Sequence, residues 1–406
     1  MSAELFYRSN KFMLRFLIFL FPAMLDVTVG AIIFITTVRL VKSGETAFDS
    51  TLAATAWALG HSFFSFLVAK INSSHNAAYR ISAGCGVILL GLLLLIFFPD
   101  PKIQLYWTLI IGLGTALFFC SFQVFMKASD RDVHAGLVRS TALYGFAWSC
   151  GIASGPFITS FVWGKLFPEN GWIYCHWINV VLVSCVGIAI WPLKHYIDNL
   201  HKNTPAPVQI ESPTRVNYSK LPDLVWIGWL TAGVGCITVA LIRTIFPYKA
   251  EIINISKTDL GYITALVSYS QGFFSLLLLK SRYWMYKAVP MGLFSLCGFA
   301  SMIMFSFGTS LWIFYIAAII YGIYSSSFFF CLVFHSLVHP EKSGKYVSWN
   351  EVIVGITGIL APLAGGVVID LSNNHNLPFL IGALIIVSVI VVQFIRLRKI
   401  DPELVK

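Results

Sequence analysis

Runs of apolar residues, separated by short polar turns, recur along the whole chain and restrict its fold more than any other feature. A helix needs about 20 mainly apolar residues to cross a bilayer. Inside lipid every backbone polar group must be satisfied within the protein, which leaves helices or closed barrels. The runs fall at 12–38, 51–68, 81–98, 103–126, 137–163 and 172–193, then at 224–246, 260–279, 288–307, 312–335, 346–369 and 378–395. Their length excludes barrel strands. Charged residues make up 11% of the chain and hydrophobic ones 57%, against about 25% charged in soluble domains. The sequence therefore reads as an all-α membrane protein with twelve transmembrane helices and a lipid bilayer as its main partner.

Between the sixth and seventh runs lies a polar stretch, 194–222, containing Pro205, Pro207 and Pro213. It is too polar to cross and too short to be a domain, so it reads as a linker. This divides the chain into a six-helix bundle at 1–193, the linker at 194–222 and a second six-helix bundle at 223–406. Taking loops alternately, 21 of the 28 lysines and arginines fall on the side of the termini. The positive-inside rule then puts both termini and the linker in the cytoplasm of a multi-pass cell-membrane protein. The same asymmetry accounts for the net charge of +10 with no nucleic-acid partner.

One carboxylate interrupts the first run near its middle. Asp26 follows Pro22 by four residues, and a proline at that spacing frees the carbonyl of Ile18 and bends the helix. Intramembrane acids are costly and face cavities or partners, so Asp26 is the leading proton-coupling candidate. Glu351, inside the eleventh run, is the second; an acid near the interface that simply reaches water would look the same. Arg243, at the end of the seventh run, is a candidate for an anionic substrate group or for a pairing with Asp26, against plain snorkelling to headgroups. Gln123, Gln271, His61 and the His176/Asn179 pair are candidate substrate hydrogen-bonding groups; residues three apart share a helix face. Each also fits the role of an interhelical hydrogen bond. Pro22, Gly151, Gly155, Pro156 and Pro362 are candidates for conformational change, through bends and close helix approach. The eight cysteines lie in apolar runs without metal-ligand spacing, so neither a metal nor another cofactor is expected, and no phosphate-binding loop points to ATP.

The halves show faint self-similarity. Phe63-Phe64-Ser65 answers Phe273-Phe274-Ser275, Pro156 answers Pro362, and Arg39 answers Arg243, each pair about half the chain apart. Twelve spans split six and six by a linker resemble the major facilitator superfamily. Leu25-Asp26-Val27-Thr28-Val29 is similar to the LDxTV core of a first-helix motif of some proton-coupled drug exporters, without its Asn and Ala-Leu-Pro continuation. Gly151-Ile152-Ala153-Ser154-Gly155-Pro156 resembles part of the fifth-helix glycine-proline motif of antiporters, without the closing glycine pair. The usual Gly-x-x-x-Asp-Arg loop after the second helix is degenerate at 69–80: its Asp is missing, and Lys70 and Arg80 keep only positive charge.

The resemblance implies two pseudo-symmetric bundles rocking around a central cavity. The chain then moves a small organic solute by alternating access, coupled to a proton or another ion, as a monomer. Three alternatives stay open: a drug or metabolite efflux antiporter, a transport-incompetent sensor or scaffold, and a membrane-embedded enzyme, against which the lack of a nucleophile–base set counts. The topology makes a direct prediction. A cysteine introduced at Ser212 should react with a membrane-impermeant maleimide only from the cytoplasmic side, and one at Asn254 only from outside.

Overall fold

The computed structural model describes residues 3–71, 76–129, 137–203, 222–278, 283–338 and 342–400. Thirteen α-helices are described: α1 (Ala3–Lys42), α2 (Ala47–Ile71), α3 (Ala77–Phe97), α4 (Gln104–Ser129), α5 (Leu137–Phe161), α6 (Gly171–Asn203), α7 (Val225–Thr244), α8 (Phe246–Ile252), α9 (Lys257–Leu277), α10 (Ala288–Phe307), α11 (Leu311–Leu337), α12 (Ser343–Ser372) and α13 (Leu377–Leu397). The seventh run forms α7, and a short helix, α8, continues past its end, with Pro247 in its first turn, where a missing N–H costs nothing. The twelve apolar runs all recur as helices. α1 begins well before the first run, and α6 continues to Asn203, into the stretch read as linker. The rest of that stretch, 204–221, lies outside the described residues, as do 72–75 of the degenerate loop.

Ten helical segments among the described residues are long and apolar enough to cross a membrane. α5 and α9 are more polar, and their position explains why. They pack against one another along the junction between the first six helices and the rest, so protein rather than lipid covers much of their surface. α2 and α12 make the second such junction. Elsewhere, α2, α3 and α4 pack together with α6 behind α3, while α10, α11 and α13 group beside α7 and α12.

Four apolar clusters form among the described residues, and two of them are large. One, around Leu25, Ile32, Ile81, Ile88, Phe118 and Val186, belongs to α1, α3, α4 and α6. The other fills α7–α13 around Phe246, Phe305, Tyr321 and Phe328, and it also takes in Phe34, Val38, Ala47 and Trp163 from the first half. Those four sit at the end of the bundle away from the termini, called the distal end below. There the two halves share a core.

α1 and α5 approach at backbone distance. A Cβ at Gly155 would meet the Val27 carbonyl oxygen and the Ala31 nitrogen, and one at Gly151 would meet the Ala23 carbonyl. Backbone cannot swing aside as a side chain can, so overpacking here should cost about 1–3 kcal/mol. Gly155→Ala is therefore expected to lower unfolding stability by that amount. Gly86→Ala, inside α3 with open space around its Cβ, should leave stability unchanged or raise it by up to about 1 kcal/mol through helix propensity. Thermal or denaturant unfolding in detergent checks the contrast.

Candidate functional site

Asp26 lies one turn beyond Pro22 on α1, its Cβ against Gly151 of α5. It is 2% exposed, and its Oδ2 has no hydrogen-bond partner. The cation whose field reaches it is Arg243 of α7, yet no ion pair joins the two among the described residues. Arg243 instead donates from Nη2 to Ser268 Oγ of α9 at 3.2 Å, and its guanidinium lies 5.9 Å from the centre of the Trp148 ring of α5. The charges thus oppose one another across the junction without touching.

Glu351 faces the space between the halves from α12. The residue as a whole is exposed, and its carboxylate is within hydrogen-bonding reach of Gln123 on α4. It lies on the same α12 face as Gly355, where Ser62 of α2 packs. Its neighbour Asn350 anchors this turn: Asn350 Oδ1 accepts from Trp229 Nε1 at 2.8 Å and from Ser336 Oγ at 2.9 Å. Trp148 and Phe329, with ring centres 5.0 Å apart, add an aromatic pair bridging α5 and α11. Charge of both signs, an amide and aromatic faces therefore line the junction.

The other sequence candidates divide sharply. His61 Nδ1 pairs with Thr115 Oγ1 at 3.1 Å and its ring stacks on Trp57, tying α2 to α4. Gln271 is 1% exposed, and its Oε1 accepts from Ser325 Oγ at 2.6 Å, tying α9 to α11. Both act as interhelical hydrogen bonds. His176 and Asn179 are just as buried, but neither ring nitrogen of His176 and not Nδ2 of Asn179 has a partner. They face α1 and α5 rather than the junction between halves. Pro22, Pro156 and Pro362 all lie inside their helices.

Two residues that sequence reasoning passed over close the distal end. Asp370, at the end of α12, accepts from the backbone N–H groups of Ala47 and Phe48, at 3.1 Å and 3.0 Å, and so caps the start of α2. An anion at a helix N-terminus is favoured both by those unpaired donors and by the helix dipole. It lay one residue beyond the predicted end of its span. Lys249, counted with the loop charges, is 1% exposed. Its Nζ donates to the carbonyls of Phe305 and Ser306 and to Asn376 Oδ1, all at 2.7 Å, binding α8 to the end of α10 and the start of α13. A solvated loop charge and a buried one look alike in sequence; the helix running on past Pro247 was the usable signal. Further links cross at this end: Lys42 to Glu251 at 3.3 Å and Lys257 Nζ to the Pro168 carbonyl at 2.8 Å.

At the opposite end, Ala142 of α5 packs into an apolar cluster of the second half around Leu224, Met285, Phe334 and Leu397, and polar bonds gather on Asp223. Asp223, before α7, accepts from Lys342 Nζ at 3.0 Å and from the Tyr346 hydroxyl at 2.7 Å. These bonds to Asp223 push both groups above their ordinary values. Lys342's contribution is therefore complete below the usual lysine range and is lost as pH rises through its raised value. The site as a whole brings the chargeable side chains of Asp26, Arg243 and Glu351 to the junction beside the Trp148–Phe329 aromatic pair.

The comparisons agree with this architecture. Residues 228–405 match the family model described as Major Facilitator Superfamily. A proton-coupled antiporter flippase, LtaA of Staphylococcus epidermidis, is 22% identical over 98% of both chains. The class H tetracycline resistance protein of Pasteurella multocida is 31% identical over 37% of each. The crystal structure of the nucleoside transporter NupG superposes with a TM-score of 0.66 at 13% identity, covering 96% of this chain and 99% of that one.

The distal closure makes a testable claim. Asp370→Ala removes two charge-assisted hydrogen bonds, worth up to about 1.5–3 kcal/mol each when buried and less where exposed. A cysteine introduced at Ser154, beside Tyr269 in the junction, should then be labelled several-fold faster by an impermeant maleimide from the distal side. An unchanged rate would assign Asp370 a local capping role only.

Proposed function

We propose that this chain belongs to the major facilitator superfamily and couples proton movement to solute transport through Asp26. The family's members and structural neighbours are transporters rather than enzymes. The chain is accordingly a multi-pass secondary transporter of a small organic solute, and the enzyme alternative falls away. Coupling, residue roles and orientation are the further reading. The observation that carries it is a buried carboxyl with an unpartnered oxygen, opposed by an arginine that does not reach it. Such a group holds a proton when Arg243 is distant and gives it up when the cation approaches. Rocking of residues 1–193 against 223–406 supplies that change in separation.

In this reading the distal end is the outside, in line with the loop charges. The conformation is then closed outside by Asp370 and by the core shared with Phe34, Val38, Ala47 and Trp163. Solute enters from the cytoplasm between α2 and α12, where Glu351 and Gln123 face the opening. Glu351 serves as a second protonatable group there, and Arg243 binds an anionic part of the solute. Pro22, Pro156 and Pro362, with Gly151 and Gly155, let the lining helices bend and slide. Exchange of solute for protons is favoured over symport by the full-length match to an antiporter. The same match supports a second reading, in which the solute is an amphiphile moved between leaflets. Transport of labelled lipid in liposomes, rather than of a water-soluble solute, would select it.

The test uses proteoliposomes under an imposed pH gradient and a solute found by ligand-induced thermal stabilisation, which reports binding to the folded form by mass action. Asp26→Asn should reduce gradient-driven movement at least tenfold while solute–solute exchange persists. Unimpaired gradient-driven movement would remove Asp26 from coupling.

A further inference from the structure

Three unpartnered polar groups fall on one seam of the first half, which runs from Asp26, at the junction where the solute is proposed to bind, to α6, away from it. They are Asp26 Oδ2 on α1, and Asn179 Nδ2 and both ring nitrogens of His176 on α6. Asn179 is 2% exposed and His176 is fully buried. A buried polar group left without a partner costs about 1–3 kcal/mol, so three on one seam call for a common cause. Beside Asn179 lies a small cavity of about 10 Å³, lined also by Val27, next to Asp26, and Ala31 of α1, by Gly155 and Thr159 of α5, and by Cys175, next to His176, of α6. That is about the least space one water molecule needs, and such sites hold water when polar groups face them.

The seam has an order. Trp172, His176 and Asn179 are four and three residues apart, on one face of α6. At its distal end Arg39 of α1 lies over the Trp172 ring, 3.9 Å from its centre. Trp172 meets His176 edge to face, 5.9 Å between centres. Asn179 opens onto the cavity beside Val27, and Asp26 is the next residue of α1, against Gly151 of α5. Polar groups thus step from the distal end to the carboxyl. Arg39 and Asp26 of α1 are the charged residues on it, while α5 presents Thr159. The junction between halves is meanwhile closed at this same end by Asp370 and the shared apolar core.

We propose that this seam is a proton route, distinct from the solute path, in which a water held by Asn179 passes protons from His176 to Asp26. It rests on the proton-loading role given to Asp26 above. A proton from the distal side binds one imidazole nitrogen, and the other nitrogen releases its own proton to the water. The water hands a proton to the carboxylate. The route ends with neutral imidazole, water and a carboxylic acid, so one proton has moved inward and nothing else has changed. His176 and Asn179 are positioning and relay groups here, not solute ligands. The separation lets Asp26 load while the solute path is shut on that side.

The experiment follows the carboxylic-acid stretch of Asp26 by time-resolved infrared spectroscopy. The full chain is reconstituted and acid is applied from the distal side, the band being assigned by its loss in Asp26→Asn. His176→Phe and Asn179→Leu are expected to slow its rise at least tenfold while its final amplitude is kept. Ala31→Leu fills the cavity without removing a polar group and should do the same, with Ala31→Val as the smaller substitute if the larger side chain impairs folding. Unaltered kinetics in these variants would overturn the route and leave the Asp26 assignment standing. Absence of any Asp26 band would overturn both.

Discussion

A carboxyl group almost sealed from solvent in the middle of a membrane helix sets the terms for what surrounds it. In a low dielectric its charged form needs a cation or several hydrogen-bond donors, and otherwise it takes a proton. Asp26 has an unpartnered oxygen, and the nearest strong field comes from an arginine held elsewhere by Ser268 and Trp148. Neither charge is neutralised in place. What the molecule can do therefore depends on how far α1 and α7 lie apart, and that distance is set by the packing of the two halves.

The packing is uneven along the bundle. α1 and α5 are locked by backbone contact at Gly151 and Gly155, so Asp26 moves with α5. α5 in turn lies on α9, and α2 lies on α12. At the distal end these junctions are reinforced by the carboxylate of Asp370 on the first amides of α2 and by apolar side chains of the first half entering the second core. Glu351, farther along α12, stays exposed. Under the proposed function this arrangement corresponds to one of the two states of a rocking cycle, and proton loading at Asp26 is the proposed trigger for leaving it.

Much of this was legible in the sequence. Apolar run length gave the twelve spans, and the lysine and arginine asymmetry gave their expected orientation. Asp26 stood out because an acid is expensive in an apolar run, and it is the one acid of 12–38. The partners were not legible. Helical spacing says that His176 and Asn179 share a face, but not that their buried nitrogens lack partners. It says as little about His61 and Gln271, which find Thr115 and Ser325 on other helices. Lys249 looked like a loop charge, because nothing local distinguishes a lysine in water from one satisfied by the last carbonyls of a distant helix. Asp370 looked like a span end, because its two donors lie more than 300 positions earlier in the chain. Single-helix patterns carry the membrane topology; contacts between helices carry the site.

The central claim is that protonation of Asp26 governs which end of the junction is open. Paired spin labels across α2 and α12 test it most directly, one pair at the distal end on Thr46 and Ser372 and one at the other end on Val68 and Lys345, with distances measured at acidic and alkaline pH. The account predicts that the two distances change in opposite senses with pH in the wild type, and that Asp26→Asn holds both at one value throughout. Distances that change together, or a pH response that persists unaltered in Asp26→Asn, would contradict it.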